Sequence, residues 1–242
     1  MASTQFVLAY ATRFQMSDRE IVARRESATE HVSTLFSTPV VCHSVGDGHT
    51  GILVWQSSAE TRKWPAFAHE GGTAAAWIHV PATAGAPGDG ADAIGAARAA
   101  TDAASDPALI GAPCAALYRD ASGLRVVNDV YGMVRLYQFT MPNFGTVWCT
   151  RPGLAHVFAG ELPRHDFIAW SEMASLGWPA TGRAFLGHGS QMPACSLAVA
   201  TPTGEVSCHS RSDEWMSSIL EGPAPRIDEA ARSMADSLRT AA

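Results

Sequence analysis

A short polar turn between two apolar segments is the first part of the sequence whose residue types could do chemistry. Residues 126–139 read VVNDVYGMVRLYQF, with Asn128 and Asp129 between strand-like segments and Gly132 three residues after the aspartate. A catalytic carboxylate at Asp129 would need a second titratable group beside it. Asn128 and Asp129 can instead bond neighbouring backbone amides in an Asx turn, with Gly132 at positive φ where the strand resumes. We therefore expect a structural turn.

Cysteine and histidine side chains are the next candidates, because together they could hold a metal ion. The five cysteines form no CxxC pair, and their odd number favours free thiols in a reducing compartment. Two Cys-His neighbours occur, but adjacent residues on a strand point to opposite faces and do not easily bind one ion. We expect buried structural cysteines and no metal site. The residues concerned are Cys42, His43, His49, Cys114, Cys149, Cys195, Cys208 and His209.

Three segments have the pattern of helices that would position these residues. Residues 17–36 begin with Ser17 or Asp18 as a helix cap, and residues 165–178 begin with His165 or Asp166. The third segment, 225–242, is rich in alanine and starts after a proline. Its apolar face consists of Ile227, Ala231, Met234 and Leu238.

The rest of the chain has the composition of strands separated by Gly, Pro and Asp. Strands are predicted at 6–12, 38–47, 49–58 and 72–81, and we interpret the last three as neighbours in one sheet. Residues 81–92 predict a mobile loop. Residues 114–139 predict a three-strand meander that 144–152 extends, and 194–210 predict a hairpin around Thr201. Strands and helices in separate blocks indicate the α+β class.

Composition excludes several classes of function. The chain has 242 residues, of which 47% are hydrophobic and 17% charged, and a net charge of -6. Without surplus or clustered basic residues, nucleic acid is not an expected partner. No apolar segment approaches the roughly 20 residues that span a bilayer, and residues 1–14 lack the features of a signal peptide. We expect a cytoplasmic protein without membrane association.

Residues 118–139, YRDASGLRVVNDVYGMVRLYQF, resemble a hairpin and turn of the class II glutamine amidotransferase domain of asparagine synthetases. Residues 145–160 and 165–207 are similar in order to the family's next strand, short helix, loop and closing hairpin. The nearest likeness is to the relatives that act as lasso-peptide macrolactam cyclases. The resemblance implies an αββα sandwich of antiparallel sheets, the fold of N-terminal nucleophile hydrolases. It also implies that the structural turn of the family motif contains Asn128, Asp129, Gly132, Arg135 and Tyr137.

The family's catalytic parts are absent at the corresponding positions. A glutaminase of this class uses a cysteine as the first residue of the mature chain, with the α-amine as its base. This sequence begins MAST, so a nucleophile would require processing that exposes Ser3 or Thr4. The glutamine-binding Arg segment and the Asn-Gly pair of the oxyanion hole are also missing. Glutaminase activity is therefore not expected.

The family's ATP-binding part is missing as well. No Ser-Gly-Gly-x-Asp-Ser loop occurs in the sequence, so ATP and Mg²⁺ are expected only with a synthetase partner. The resemblance implies an amidotransferase-like domain over 1–222, and a helix at 223–242 that leads toward a synthetase domain not in the chain.

Three hypotheses of function remain at this point. The first is a pseudoenzyme that supports an ATP-dependent amide-forming partner, and a peptide substrate with it, in natural-product biosynthesis. The second is an amidohydrolase with Ser3 or Thr4 as nucleophile. The third is a stand-alone binding protein whose Trp residues line a pocket, although Trp on strands usually packs in a core. A homo-oligomer is compatible with each hypothesis.

Overall fold

The computed structural model describes residues 5–36, 39–58, 66–79, 90–102, 113–177, 179–187, 189–213 and 217. The first half of the chain contains β1 (Phe6–Thr12), α1 (Asp18–Ser33), β2 (Val40–Gly46), β3 (Thr50–Ser57), β4 (Phe67–Glu70), β5 (Thr73–Ile78) and α2 (Gly90–Ala100). The second half contains β6 (Ala115–Asp120), β7 (Gly123–Asn128), β8 (Tyr137–Met141), β9 (Gly145–Cys149), α3 (Pro152–Ala159), α4 (Phe167–Leu176), β10 (Gly189–Gln191), β11 (Ser196–Ala200) and β12 (Val206–Ser210).

The strands form two antiparallel six-stranded sheets, so the protein is of the mixed α+β class that the sequence predicts. The first sheet has the order β10-β8-β9-β1-β3-β2, and the second has the order β12-β11-β7-β6-β5-β4. Strand β1 lies inside the first sheet, where it pairs with β3 and β9. In the second sheet, β5, β6 and β7 are consecutive neighbours.

Alternation along β1 shows how the layers are arranged. Val7 and the other odd-numbered residues face the second sheet, whereas Leu8 and the other even-numbered residues face α1 and α3. In the second sheet, Ala76 lies in the core between the sheets, while its neighbour Trp77 packs against α2. Helices therefore cover the outer face of each sheet, and the two inner faces pack on each other.

The core between the sheets combines alanine with larger aliphatic side chains. The alanines allow close approach of the backbones, and Val, Ile and Leu residues together with Trp148 and Met192 fill the remaining space. The alanines in this layer include Ala9, Ala11, Ala74, Ala76, Ala115, Ala198 and Ala200.

Local sequence signals account for two of the helix starts. Ser17 and Glu20 form a capping box at the start of α1, in which the Ser17 hydroxyl accepts from the Glu20 amide. The Asp166 carboxylate caps α4 by accepting from the amides of Ile168 and Ala169 at 3.0 and 3.1 Å. Both helices were predicted from these caps, and the hairpin of β11 and β12 was predicted from its turn.

Other expectations about the elements were wrong. Strand β5 belongs to the second sheet, whereas β2 and β3 belong to the first. The meander ends after β7, because the chain crosses to the first sheet before β8. Residues 90–92 of the expected loop lie in α2, and neither α2 nor α3 was predicted. The remainder of that loop and the predicted helix at 225–242 lie outside the described residues.

None of the helices in the described ranges combines the length and apolar character needed to cross a bilayer.

Arg119 on β6 ties the two sheets together at one end. Its side chain is 8% exposed, and its Nε donates to the Thr50 carbonyl and hydroxyl at 3.3 and 3.2 Å. Nη1 donates to the Gly72 carbonyl at 3.1 Å, and Nη2 pairs with Asp47 in the turn between β2 and β3. An arginine of the second sheet thus satisfies acceptors of the first.

The electrostatics of this pair favour the ionised carboxylate. Partial burial opposes ionisation of Asp47, but amides of Thr50 and His49 and the Arg119 guanidinium outweigh it. The pKa of Asp47 is therefore held below its usual value.

We expect Arg119→Met to lower the free energy of unfolding by about 2–3 kcal/mol at pH 7, since it removes the charge-assisted hydrogen bonds of a buried guanidinium to Thr50, Gly72 and Asp47. Because the folded pKa of Asp47 is depressed, the pair stabilises fully above the unfolded value of about 3.9, and its contribution is lost as pH falls through the folded value. The stability gap between wild type and variant should therefore narrow below about pH 4. Denaturant unfolding at pH 7 and pH 3 measures both effects.

Arg125→Met is the matched control on the neighbouring strand. The Arg125 guanidinium lies 5.8 Å from the Tyr118 ring centroid and donates to the Ser122 hydroxyl in an exposed bond. Its replacement should cost less than about 1 kcal/mol. Equal losses in the two variants would show that Arg119 does not have the role assigned to it.

Candidate binding cleft at the start of β1

A cleft of about 960 Å³ opens where the two sheets, α1 and α3 meet. The start of β1 and the end of β5 form its floor, and the segment after Asp129 forms one wall. The junction of β9 and α3 and the end of α1 complete it. The described lining consists of Gln5, Phe6, His31, Leu35, Phe36, Ile78, His79, Met133–Arg135, Tyr137, Thr150–Gly153 and Phe185.

Hydrogen bonds across the sheets fix the start of β1 at this cleft. Gln5 is buried, and its Nε2 donates to the Trp77 carbonyl of the second sheet at 2.8 Å. Thr150, directly after β9, donates its amide to the Val7 carbonyl and accepts the Val7 amide on its hydroxyl, both at 3.1 Å. The floor of the cleft is therefore rigid.

The Asp129 carboxylate organises the adjoining wall. Asp129 is fully buried, and its Oδ1 accepts from the amides of Tyr131 and Met133 at 2.9 and 3.1 Å. Its Oδ2 accepts from the Val134 amide at 3.1 Å. Bonds from backbone amides to an ionised acceptor are strong, so this one side chain sets the path of the backbone from 131 to 134.

Two neighbours of Asp129 complete the turn. The Asn128 Nδ2 donates to the Met192 carbonyl at 3.1 Å, which joins the turn to the chain before β11. Gly132 has φ of +63°, and a Cβ there would lie 3.1 Å from the Ala194 Cβ. The Cys195 amide donates to the Asp129 carbonyl at 2.8 Å. In this structure, Asn128, Asp129 and Gly132 thus form a turn in which the Asn128 and Asp129 side chains bond to backbone groups.

The last two residues of the motif, Arg135 and Tyr137, lie outside this turn. Arg135 is exposed and Tyr137 half-buried, and both line the cleft. Ser3 and Thr4 lie outside the described residues, which begin at Gln5.

Four basic or titratable nitrogen-bearing side chains line the cleft. The Arg151 guanidinium lies over the Phe6 ring, 5.3 Å from its centroid, which keeps its charge at the opening. His31 lies against the start of α3, with its Nε2 3.6 Å from where a Cβ on Gly153 would be. Arg135 and His79 add two more such groups. Among the described lining residues there is no carboxylate, so the cleft suits an anion.

His79 also has an unusual backbone. Its φ is +66°, a left-handed conformation that non-glycine residues rarely adopt. His79 directly follows β5 and is exposed at the cleft. Such backbone conformations are more frequent at functional sites than elsewhere, and Cys195, which bonds the Asp129 turn, has one as well, with φ of +50°.

Four of the five thiols do not have the properties of nucleophiles. Burial raises the pKa of Cys42 to about 11 and that of Cys149 to about 12, and it also raises the pKa of Cys114 and Cys208. A cysteine reacts as its thiolate, which these environments disfavour. No cysteine is among the described residues that line the cleft.

A second recess, of about 640 Å³, lies between β8, β9 and the β11–β12 hairpin. Its lining includes Gln138, whose Oε1 accepts from Trp148 Nε1 at 2.9 Å and from Cys208 Sγ at 3.4 Å. Arg13 and Glu205 also line the recess, so it lacks the single sign of charge that the cleft has.

The hypothesis of a tryptophan-lined pocket is wrong for the residues that the structure describes. Trp55, Trp77 and Trp148 are core residues, and each indole nitrogen has a partner. Trp170 is half exposed on α4, and Trp64 lies outside the described ranges. Within those ranges, no group of three His, Cys, Asp or Glu side chains is arranged to hold a metal ion.

The sequence matches no protein-family model, and no curated protein is significantly similar to it.

Sequence reasoning overlooked three residues of the cleft, His31, His79 and Arg151. The available signal was position, because His79 follows the end of β5 directly and Arg151 follows β9 by two residues. Polar residues just after buried strands often line sites. The predicted strands at 72–81 and 144–152 include His79 and Arg151, so neither residue was recognised as following a strand.

We expect Asp129→Asn to lower the free energy of unfolding by about 3 kcal/mol, because the neutral amide accepts weaker bonds and presents a donor to backbone amides. Amide hydrogen exchange at residues 131–134 should accelerate in parallel. Thermal melting and exchange mass spectrometry measure the two effects.

Asp166→Asn is the matched control. The chemical change is the same, but Asn caps helices about as well as Asp, and the Asp166–Arg183 pair at 3.1 Å is partly exposed. A loss below about 1 kcal/mol is expected. If the control lost as much stability as Asp129→Asn, the buried carboxylate would not organise the wall.

Proposed function

We propose that this chain is a degenerate, non-catalytic glutamine amidotransferase-like domain with the fold of N-terminal nucleophile hydrolases. It supports an ATP-dependent amide-forming partner, asparagine synthetase-like or a macrolactam cyclase, in natural-product biosynthesis. The residues 118–139 that resemble the family motif fold into β6, β7 and the Asp129 turn. Helices on the outer faces of two packed antiparallel sheets are compatible with the proposed fold.

The observation that carries the proposal is the position of the cleft. It opens at the start of β1, a strand inside the first sheet, beside the Asp129 turn. In the amidotransferases that this chain resembles, the nucleophile is the first residue of the mature chain. A recess at the start of the first strand is where a domain of that ancestry would keep its substrate site.

The lining of the cleft supports binding rather than hydrolysis. The described lining offers neither a thiol nor a carboxylate to act as nucleophile or to orient a histidine base. Its arginines have the chemistry to hold an anion and lack the chemistry to attack an amide. The domain therefore contributes recognition, and the partner contributes ATP, Mg²⁺ and amide-bond formation.

The ligand that suits this cleft is the carboxylate-bearing part of a peptide substrate. Arg135 and Arg151 supply the positive charge, and Phe36 and Tyr137 supply aromatic surface beside it. A carboxylate of the peptide is also the group that an ATP-dependent ligase activates. The cleft would deliver that peptide to the partner's catalytic centre.

The purified chain should release no ammonia from glutamine above a buffer blank. Enzymes typically turn over at 1–10³ s⁻¹, so an assay sensitive to about 10⁻³ s⁻¹ excludes a functional glutaminase. Intact mass spectrometry of the same sample determines the N-terminal residue. A rate that requires the protein and disappears in Ser3→Ala or Thr4→Ala would favour the amidohydrolase alternative instead.

With its ligase partner and peptide substrate, Arg135→Glu should raise KM for the peptide at least tenfold and leave kcat nearly unchanged. Loss of one charged contact of about 1.4 kcal/mol or more accounts for that factor. A suitable partner for the test is an ATP-dependent ligase that carries a Ser-Gly-Gly-x-Asp-Ser loop.

Arg125→Glu makes the same change of charge on the second sheet, away from the cleft residues, and should leave KM within about twofold. An unchanged KM in Arg135→Glu, or equal effects in both variants, would exclude the cleft as the peptide site. Amide formation by the ligase at full rate without this chain would exclude the supporting role.

A further inference from the structure

Helix α4 is apolar on nearly all sides, yet only Ala169 among its residues is buried. A helix that is hydrophobic all round normally lies inside a protein. Phe167 is 81% exposed and Trp170 46%, and Leu162, five residues before the helix, is 89% exposed. The other exposed large apolar side chains of α4 are Ile168, Met173 and Leu176.

The helix is held in place and presents a defined face. Asp166 caps its start, and the Trp170 ring packs on Phe185 with 4.7 Å between ring centroids. At 3.6 residues per turn, Phe167 and Ala174 lie opposite the buried Ala169, Trp170 lies on one flank of the helix, and Ile168 lies on the other flank. Two aromatic anchors and a small residue thus form one outward stripe, the composition of interface centres.

The exposed area is close to what an interface needs. Leu162 and the exposed apolar side chains of α4 other than Ile168 present on the order of 600 Å², which is at the upper end of the patches found on monomers. A stable interface buries about 800 Å² per partner, and specific interfaces start near 1,200 Å² in total. Two copies of this face would reach that lower limit.

The charges around the face favour a second copy over other occupants. Glu172 is the only charged residue within α4, and Arg164 and Arg183 lie near its ends in the sequence. When both acidic and basic residues surround a face, the acidic residues of one copy can pair with the basic residues of a second copy across a two-fold axis. An anionic membrane surface would require a basic border, whereas Glu161, Asp166 and Glu172 offset Arg164 and Arg183 around this helix.

We propose that Leu162 and α4 form a two-fold interface between two copies of this chain, with Phe167 and Trp170 at its centre. This inference is independent of the proposed function, because it requires neither a ligase nor a peptide. Among the residues that line the cleft, Phe185 packs on the anchor residue Trp170. The other lining residues would not contact Phe167 or Trp170 in such a dimer.

Light scattering coupled to size-exclusion chromatography on the full chain tests the proposal. Between about 1 and 100 μM, the range for an interface of this size, the mass should rise from one chain toward two. Phe167→Glu should weaken dimerisation at least tenfold. An acidic residue is favourable in the first turn of a helix, so this variant should remain folded.

Val22→Glu is the control, because Val22 is a partly exposed apolar residue on α1. It should dimerise like the wild type. Hydrogen exchange on the wild type provides a second measurement that does not depend on a variant: residues 162–176 should become protected as concentration rises. A wild type that stays monomeric throughout, a Phe167→Glu variant that still dimerises, or unprotected residues 162–176 in the dimer would each overturn the proposal.

Discussion

The buried carboxylate of Asp129 fixes the place where the chain leaves one sheet for the other, and the cleft depends on it. The residue follows β7 of the second sheet and precedes β8 of the first. Three backbone amides donate hydrogen bonds to its buried oxygens. These bonds fix the conformation of the segment that crosses between the sheets. The same turn receives the Cys195 amide and holds the Met192 carbonyl, which also sets the entry to β11. The Asp129 turn therefore determines where the cleft wall lies and keeps it rigid.

The opposite end of the same strand pair is fastened by Arg119. In the β6–β7 register, Ala115 pairs with Asn128, whereas Arg119 pairs with Leu124, so the two polar clusters lie at opposite ends. Between them, the core of alanine and larger aliphatic side chains contributes most of the burial. The polar groups at both ends add directional hydrogen bonds that help to fix the relative position of the sheets.

Local chemistry was predictable from the sequence, and long-range pairing was not. The caps at Ser17 and Asp166, the turn around Thr201 and the Asx geometry at Asp129 each depend on residues within a few positions of one another. The sheet to which β5 or β8 belongs depends on residues far away in the chain, and strands of both sheets contribute alanine and aliphatic residues to the same core. The alanine-rich α2 was overlooked because its flanking glycines and prolines suggested a loop. The cleft could not be predicted, since it combines six separate segments whose meeting only the fold determines.

The charge of the cleft contrasts with the charge of the protein, and that contrast bears on how a ligand would be selected. The chain carries a net charge of -6, so its average field repels anions at long range. Arg135 and Arg151 act over a distance comparable with the Debye length of about 8 Å, beyond which salt screens them. An anionic ligand would therefore gain attraction only once its charge is inside the opening. Apolar contacts with residues such as Phe36 and Tyr137 would then be needed to hold it there. A free anion can make only the charge interaction. A peptide carboxylate with a neighbouring apolar side chain can make both the charge interaction and the apolar contacts.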